Sequence, residues 1–400
     1  MSVTVTQTRA RHVGFVTVLT WSMAIGMLAQ LALGALAPFI LADLGISRTQ
    51  FGVLSTVYFA VGSGGSLIAG PLVDQLGGRR MTVALFVIGG LGLAGLGMGA
   101  SLLAMGIAAG FAGVATAVSN PVTNQLISVH LPRGQQGFTT GIKQSGVGVA
   151  ALLSGIIYPP LGLTVGWRAA LVLSGLVALG GAVAALAILP KSERQQAAGR
   201  KGIAREQFRS PTVRWLAAYA LMMGAAGSVT MAFLVLYGVE SLELSESVAG
   251  ASSAVMGGVG LVARIMWGRI TERSSHPVRL LQVLALLAAV AQVLIWAAVS
   301  VGVWGLWVGV MLYGATAMGW NSVAMLMLVR RIGPRASGTA SGIVQATFYT
   351  GYVFAPLLFG WSVDATEAYN LGWALVTLIY LGSFVLMLAW TRCSTSASEG

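Results

Sequence analysis

Long stretches without a charged side chain take up most of this chain, and they constrain its fold more than any other feature. Residues 81–132 and 280–329 each run about fifty positions with no Asp, Glu, Lys or Arg. A lipid-spanning helix needs about 20 apolar residues. Each of these stretches therefore holds two spans, with turns expected near Gly99-Ala100-Ser101 and Ser300-Val301-Gly302. The same count gives twelve spans in all: 14–41, 50–72, 80–100, 103–129, 137–163 and 168–189, then 213–239, 248–268, 279–300, 303–329, 338–363 and 371–390. Charged residues make up only 8% of the chain and the mean hydropathy is +0.83, whereas a soluble domain carries roughly 25% charge. The 54 glycines suit helices that approach closely in lipid. The first apolar run is too long for a signal-peptide core and is read as a retained span.

A net charge of +12 would suggest nucleic acid in a soluble protein. Here the charges sit in short loops between apolar runs, which excludes that reading. With the N-terminus inside, only Arg48 and Arg168 face outward and Lys143 falls within a span, so twenty of the 23 basic residues lie on the inner side. This bias places both termini in the cytoplasm. The segment 190–212 carries Lys191, Arg194, Arg200, Lys201, Arg205 and Arg209 and no apolar run. It reads as a cytoplasmic basic linker between 1–189 and 213–400.

The two halves repeat. A shift of 201 residues sets Asn120 on Asn321, Ile142 on Ile343 and Gln144 on Gln345; a shift of 198 sets Ser47 on Ser245, Gly70 on Gly268 and Asp74 on Glu272. Two six-span repeats that both start from the cytoplasm are related by an axis along the membrane normal. Between the second and third spans stands Gly70-Pro71-Leu72-Val73-Asp74-Gln75-Leu76-Gly77-Gly78-Arg79-Arg80. Its Gly70, Asp74, Gly77, Arg79 and Arg80 match the Gly-x-x-x-Asp-[Arg/Lys]-x-Gly-[Arg]-[Arg/Lys] pattern of the major facilitator superfamily, while Gln75 and Gly78 stand where basic residues are usual. With the tandem repeat, the chain resembles that superfamily over nearly its whole length. The resemblance implies an all-α membrane protein of twelve transmembrane helices in two six-helix pseudo-symmetric bundles, transporting by alternating access. It also implies a gating role for the Asp74 loop, with Asp74 meeting the N-terminus of the eleventh span near Ser337 and Gly338. Glu272 is the weaker echo of Asp74 in the second half. Arg264, one turn before Gly268, reads as snorkelling to the inner surface.

No metal cluster, Walker loop, HExxH or GxSxG occurs, and the single Cys393 lies in the tail. Neither enzymatic chemistry nor a cofactor is expected. Polar groups at membrane depth are costly and mark function instead. Lys143 is the foremost, six residues into a span taken to start at Gly137. Two readings stay open for it: a cationic cavity residue, or a lysine snorkelling to the cytoplasmic surface. Asn120 and Asn124 share a face at i, i+4, with Gln144 beside Lys143. Asn321, Gln345 and Tyr349 form the counterpart in the second half, with Trp21 and Gln30 as weaker candidates. Trp320, Tyr313, Tyr352 and Tyr219 add aromatic surface. No span carries an interior carboxylate, which argues against proton coupling through one. The expectation is a bacterial inner-membrane transporter, monomeric, whose partners are the lipid bilayer and a small organic anion such as a carboxylate. Efflux of an amphipathic drug or metabolite is the alternative, and a non-transporting receptor or assembly subunit is a more distant one.

Overall fold

The computed structural model describes residues 2–190, 209–332 and 337–396; within these, the side chains of 2–11, 67, 74, 133, 134, 137, 337–339 and 394–396 are not described. Most of the expected basic linker, 191–208, lies outside the described residues. Every regular element among the described residues is helical: α1 (Ser2–Leu44), α2 (Arg48–Leu76), α3 (Gly78–Met98), α4 (Leu102–His130), α5 (Arg133–Thr164) and α6 (Trp167–Ile188). Then follow α7 (Pro211–Glu240), α8 (Glu246–Arg273), α9 (Pro277–Val301), α10 (Val303–Thr316), α11 (Trp320–Ile332), α12 (Ser337–Thr366) and α13 (Asn370–Ser396). Eleven segments are long and apolar enough to cross a membrane, with α10 and α11 counting as one. The 29-residue α2 completes the twelve.

The turns fall where the apolar runs were divided. α3 ends at Met98 and Ser101 caps α4, its side chain accepting from the amide of Ala104 at 3.2 Å, which satisfies one of the open N-terminal donors. Gly302, between α9 and α10, has φ of 90°, a conformation that glycine adopts without steric cost. Two expectations differ from the structure. α5 begins at Arg133, four residues before Gly137. The tenth span, expected to be continuous, breaks at 317–319 between α10 and α11.

By its internal contacts the chain divides into two compact units, one of 1–33, 57–150 and 161–198, the other of 34–56, 151–160 and 199–400. In the first, α3 packs along both α4 and α6; in the second, α7 packs along α12, and α9 along α10 and α13. Each unit contains a comparable close approach of a glycine to a neighbouring helix backbone, although the two glycines stand 205 residues apart, one helical turn off the repeat register. A Cβ at Gly146 of α5 would overlap the Thr20 carbonyl oxygen and sit 3.3 Å from the Ala24 amide of α1. A Cβ at Gly351 of α12 would overlap the Leu221 carbonyl oxygen and sit 2.7 Å from the Ala225 amide of α7. Thr20 and Leu221, like Ala24 and Ala225, are 201 residues apart. Lipid gives apolar side chains little reason to associate, so this backbone-to-backbone approach, open only to glycine, carries the packing.

Candidate functional site

In the first unit, α4 and α5 build one polar cluster. Lys143 stands ten residues into α5, so at 1.5 Å per residue it is about 15 Å from the start of the helix. None of its surface is exposed. The side chain neither snorkels to a surface nor stands free in a cavity; it turns onto α4. Its Nζ donates to Thr123 Oγ1 at 2.7 Å, to Asn124 Oδ1 at 2.6 Å and, more weakly, to Asn120 Oδ1 at 3.5 Å. Gln144 Nε2 donates to the same Asn120 oxygen at 3.1 Å. Helical spacing explains the set, since residues three and four apart meet on one face. Asn120, Thr123 and Asn124 are such neighbours. Thr123 is buried, Asn120 and Gln144 are half-buried, and Asn124 is exposed. The sequence singled out all of these except Thr123. Thr123 passes its own proton to the Ser119 carbonyl at 2.7 Å, leaving its oxygen to accept from Lys143. A threonine inside an apolar helix usually bonds its own backbone, so it carried no separate signal.

The second-half counterpart differs. Asn321 and Gln345 are half-buried, and no hydrogen bond joins them into a cluster among the described residues. Their surroundings are aromatic: Trp320 lies 5.3 Å from Phe348 and 5.6 Å from Tyr219 between ring centroids. Tyr349 is buried, 5.7 Å from Phe348 and 6.3 Å from Tyr352. The cation here is Arg264, and it does not snorkel to the inner surface. Its Nε donates to the Met318 carbonyl at 3.0 Å, and Trp267 Nε1 donates to the Ala315 carbonyl at 2.6 Å. The Met318 carbonyl lies in the break of the tenth span and the Ala315 carbonyl in the last turn before it, where the Gly319 amide bonds the Thr316 carbonyl instead. Unwound backbone at membrane depth needs such partners. Tyr349 and Tyr352 are close electrostatic neighbours of the Arg264 guanidinium.

The remaining sequence candidates lie apart from these clusters. Trp21 is partly exposed and meets Phe86 edge-on at 6.5 Å, and Gln30 is wholly buried in α1. In the Asp74 loop, Gly77 has φ of 85°, which explains a glycine there, and Gly70 has open space where a Cβ would go. Arg79 donates to the Leu186 carbonyl near the end of α6, and Arg80 is exposed. The side chains of Asp74, Ser337 and Gly338 lie outside those described. Nearby, Gln125 Nε2 donates to the Val73 carbonyl at 3.1 Å. At the equivalent place in the second half, Arg330 donates to the Thr271 carbonyl at 3.0 Å and to the Glu272 carbonyl at 3.1 Å, closing the α8 C-terminus. The Glu272 side chain itself is exposed.

A second charged cluster, not foreseen as a unit, forms around Arg48. Asp364 caps α2: its carboxylate accepts from the Arg48 amide at 3.1 Å, the Thr49 amide at 2.7 Å and the Thr49 hydroxyl at 2.5 Å. The Arg48 guanidinium donates twice to Glu240 Oε2, at 3.0 and 2.9 Å, and lies 3.6 Å from Asp364. Tyr369 donates to the same Glu240 oxygen at 2.6 Å. Burial, and then the charge of Glu240, push the Tyr369 phenol far up, so it stays a neutral donor. Arg48 thus forms ion pairs with both Glu240 and Asp364; Lys143 belongs to neither. No group of three or more potential metal ligands occurs among the described residues.

Twelve membrane helices in a tandem repeat, with polar side chains held at membrane depth, define a multi-pass membrane transporter rather than an enzyme. The family model described as Major Facilitator Superfamily matches residues 14–356, and the chain belongs to that superfamily. It is 27% identical, over 87% of its length and 88% of the relative, to the "Probable nitrate/nitrite transporter NarK2" of Mycobacterium tuberculosis. It is 26% identical, over 36% of its length and 34% of the relative, to the "Probable sulfoacetate transporter SauU" of Cupriavidus necator. Among solved structures, a bacterial homolog of the human lysosomal transporter Spinster, inward-facing and occupied, superposes with a TM-score of 0.78 over 94% of this chain and 96% of that one, at 15% identity. That last likeness concerns the fold. The superfamily binds small molecules within the membrane, and this chain shares that role.

Proposed function

We propose that this protein carries a small organic anion, a carboxylate in the first instance, across the bacterial inner membrane. The observation that carries this reading is the wholly buried Lys143, held only by neutral oxygens among the described residues. A buried positive charge without a carboxylate favours an anion nearby. The half-buried guanidinium of Arg264 supports the same sign of substrate. So do the substrates in the names of the two relatives, nitrate or nitrite and sulfoacetate, all anions. The carboxylates of the described residues fall in the end turns of helices or between them, which fits transport without a mid-membrane carboxylate as proton carrier.

In this reading the halves 1–189 and 213–400 rock as a monomer about a site near the midplane, with both termini in the cytoplasm. Asp74 acts as a gate residue with Gly70, Gly77, Arg79 and Arg80, and Glu272 is its echo. Uptake of labelled carboxylates into proteoliposomes tests the proposal. Lys143→Ala should lower uptake by about tenfold or more, equivalent to about 1.4 kcal/mol, while Lys143→Arg retains part of it. Unchanged uptake in both variants removes the anion argument. A second reading, efflux of an amphipathic compound, draws on the aromatic wall of Trp320, Phe348, Tyr349 and Tyr352. In a thermal-shift panel, stabilisation by hydrophobic cations and not by anions selects it.

A further inference from the structure

Lys143 occupies both asparagines of α4 on the same side. Asn124 Oδ1 accepts from its ammonium at 2.6 Å, and Asn120 Oδ1 is shared between Lys143 at 3.5 Å and Gln144 at 3.1 Å. A carboxamide is planar, with its oxygen and its NH2 group on diverging bonds, and the network decides which end points where. Once the oxygens are drawn onto a buried ammonium that can only donate, the two Nδ2 groups are turned away from it. Neither Nδ2 has a hydrogen-bond partner among the described residues, and Asn124 is exposed. The i, i+4 spacing sets both NH2 groups on one face of α4. The two NH2 groups together offer up to four N–H donors on that face.

We propose that Lys143 is a positioning residue: it fixes the Asn120 and Asn124 amides with their donors outward, making α4 a donor-only surface for the oxygen atoms of an oxyanion. The proposal rests on the anion reading above and deepens it. Lys143 itself, buried and with its three protons engaged, does not touch the substrate in this conformation; Asn124 and Asn120 do. A ligand carrying its own N–H or O–H donors at that point is rejected because it meets donors, and the carboxylate, sulfonate and nitrate groups are accepted because every outer atom is an acceptor.

The test is a double-mutant cycle on the full-length protein in proteoliposomes, with nitrate, acetate and sulfoacetate as probes and binding read from tryptophan fluorescence. Lys143→Met and Asn124→Ala should each weaken binding of the probe by about tenfold or more. If Lys143 acts through the amide, the double variant binds within about threefold of the weaker single one, because the two changes remove the same interaction. Multiplied losses in the double variant overturn the proposal and leave the anion reading standing. If the wild type binds none of the three anions, the anion reading fails and the proposal with it. Asn124→Asp guards against a folding artefact, since its carboxylate keeps the shape and pairs with Lys143. It should unfold no earlier than wild type yet lose anion binding by about tenfold; retained binding in this variant also overturns the proposal.

Discussion

Two buried or half-buried cations in this molecule are held in opposite ways. Arg48 sits among carboxylates, with Glu240 and Asp364 both within 4 Å and Tyr369 reinforcing Glu240. Lys143 sits among neutral oxygens, those of Thr123, Asn124 and Asn120. The first arrangement neutralises its charge and gives α2 a capped start. The second solvates its charge with dipoles and leaves it uncancelled. A site that is to attract an anion has to be of the second kind, because a resident carboxylate would already occupy the cation. A structural joint gains from the first kind, because its charges then have no further partner to seek.

That contrast is open to breakage by single substitutions, each read as unfolding in detergent. The largest effect is expected from Thr123→Val, which keeps the shape but removes an acceptor from a fully buried ammonium, costing about 2 kcal/mol. A loss below about 0.5 kcal/mol would mean that the amides alone satisfy Lys143. Asp364→Ala comes next. It removes the carboxylate that accepts from the first two amides of α2 and one counter-charge from Arg48, while the capping pair of Ser47 and Gln50 remains. The cost is about 1.5 kcal/mol, with the partly exposed ion pair itself adding little. Tyr369→Phe removes one hydrogen bond to a carboxylate and is expected to cost about 1 kcal/mol. Smallest is the response to salt. Raising ionic strength from about 0.1 to about 1 M shortens the screening length from about 10 to about 3 Å, so wild-type stability should fall by a few tenths of a kcal/mol through the half-exposed Arg48 pairs. The same change in an Arg48→Met background should have less effect, whereas Thr123→Val should leave the salt response untouched.

Legibility from sequence followed the reach of each signal. The spans, their turns at Gly99–Ser101 and Gly302, and the tandem repeat were readable because lipid imposes length and apolarity on every residue in turn. Gly146 and Gly351 make comparable close approaches in the two units, one helical turn away from the register of the sequence repeat. The polar cluster was readable in part: Lys143, Asn120, Asn124 and Gln144 stand out in apolar surroundings, and their i, i+4 spacing predicts a shared face. Thr123 was not readable, because its hydroxyl looks like any helix-bonded threonine until an ammonium arrives from α5. Arg264 was misjudged for a related reason. Its partner is a carbonyl freed by the break at 317–319, and nothing in the local pattern of Val303–Val329 announces that break.

The amino-acid order on its own determined that the chain lives in a membrane, how many times it crosses, and that its second half repeats the first. Those properties are sums over local hydrophobicity and charge. Only the tertiary structure decided which way Lys143 points, which oxygens surround it, and that Arg48 rather than Lys143 is the cation given to carboxylates. Those outcomes depend on rotations of whole helices about their axes. Backbone contacts between glycines and neighbouring helices set the rotations, and no single segment of sequence encodes them.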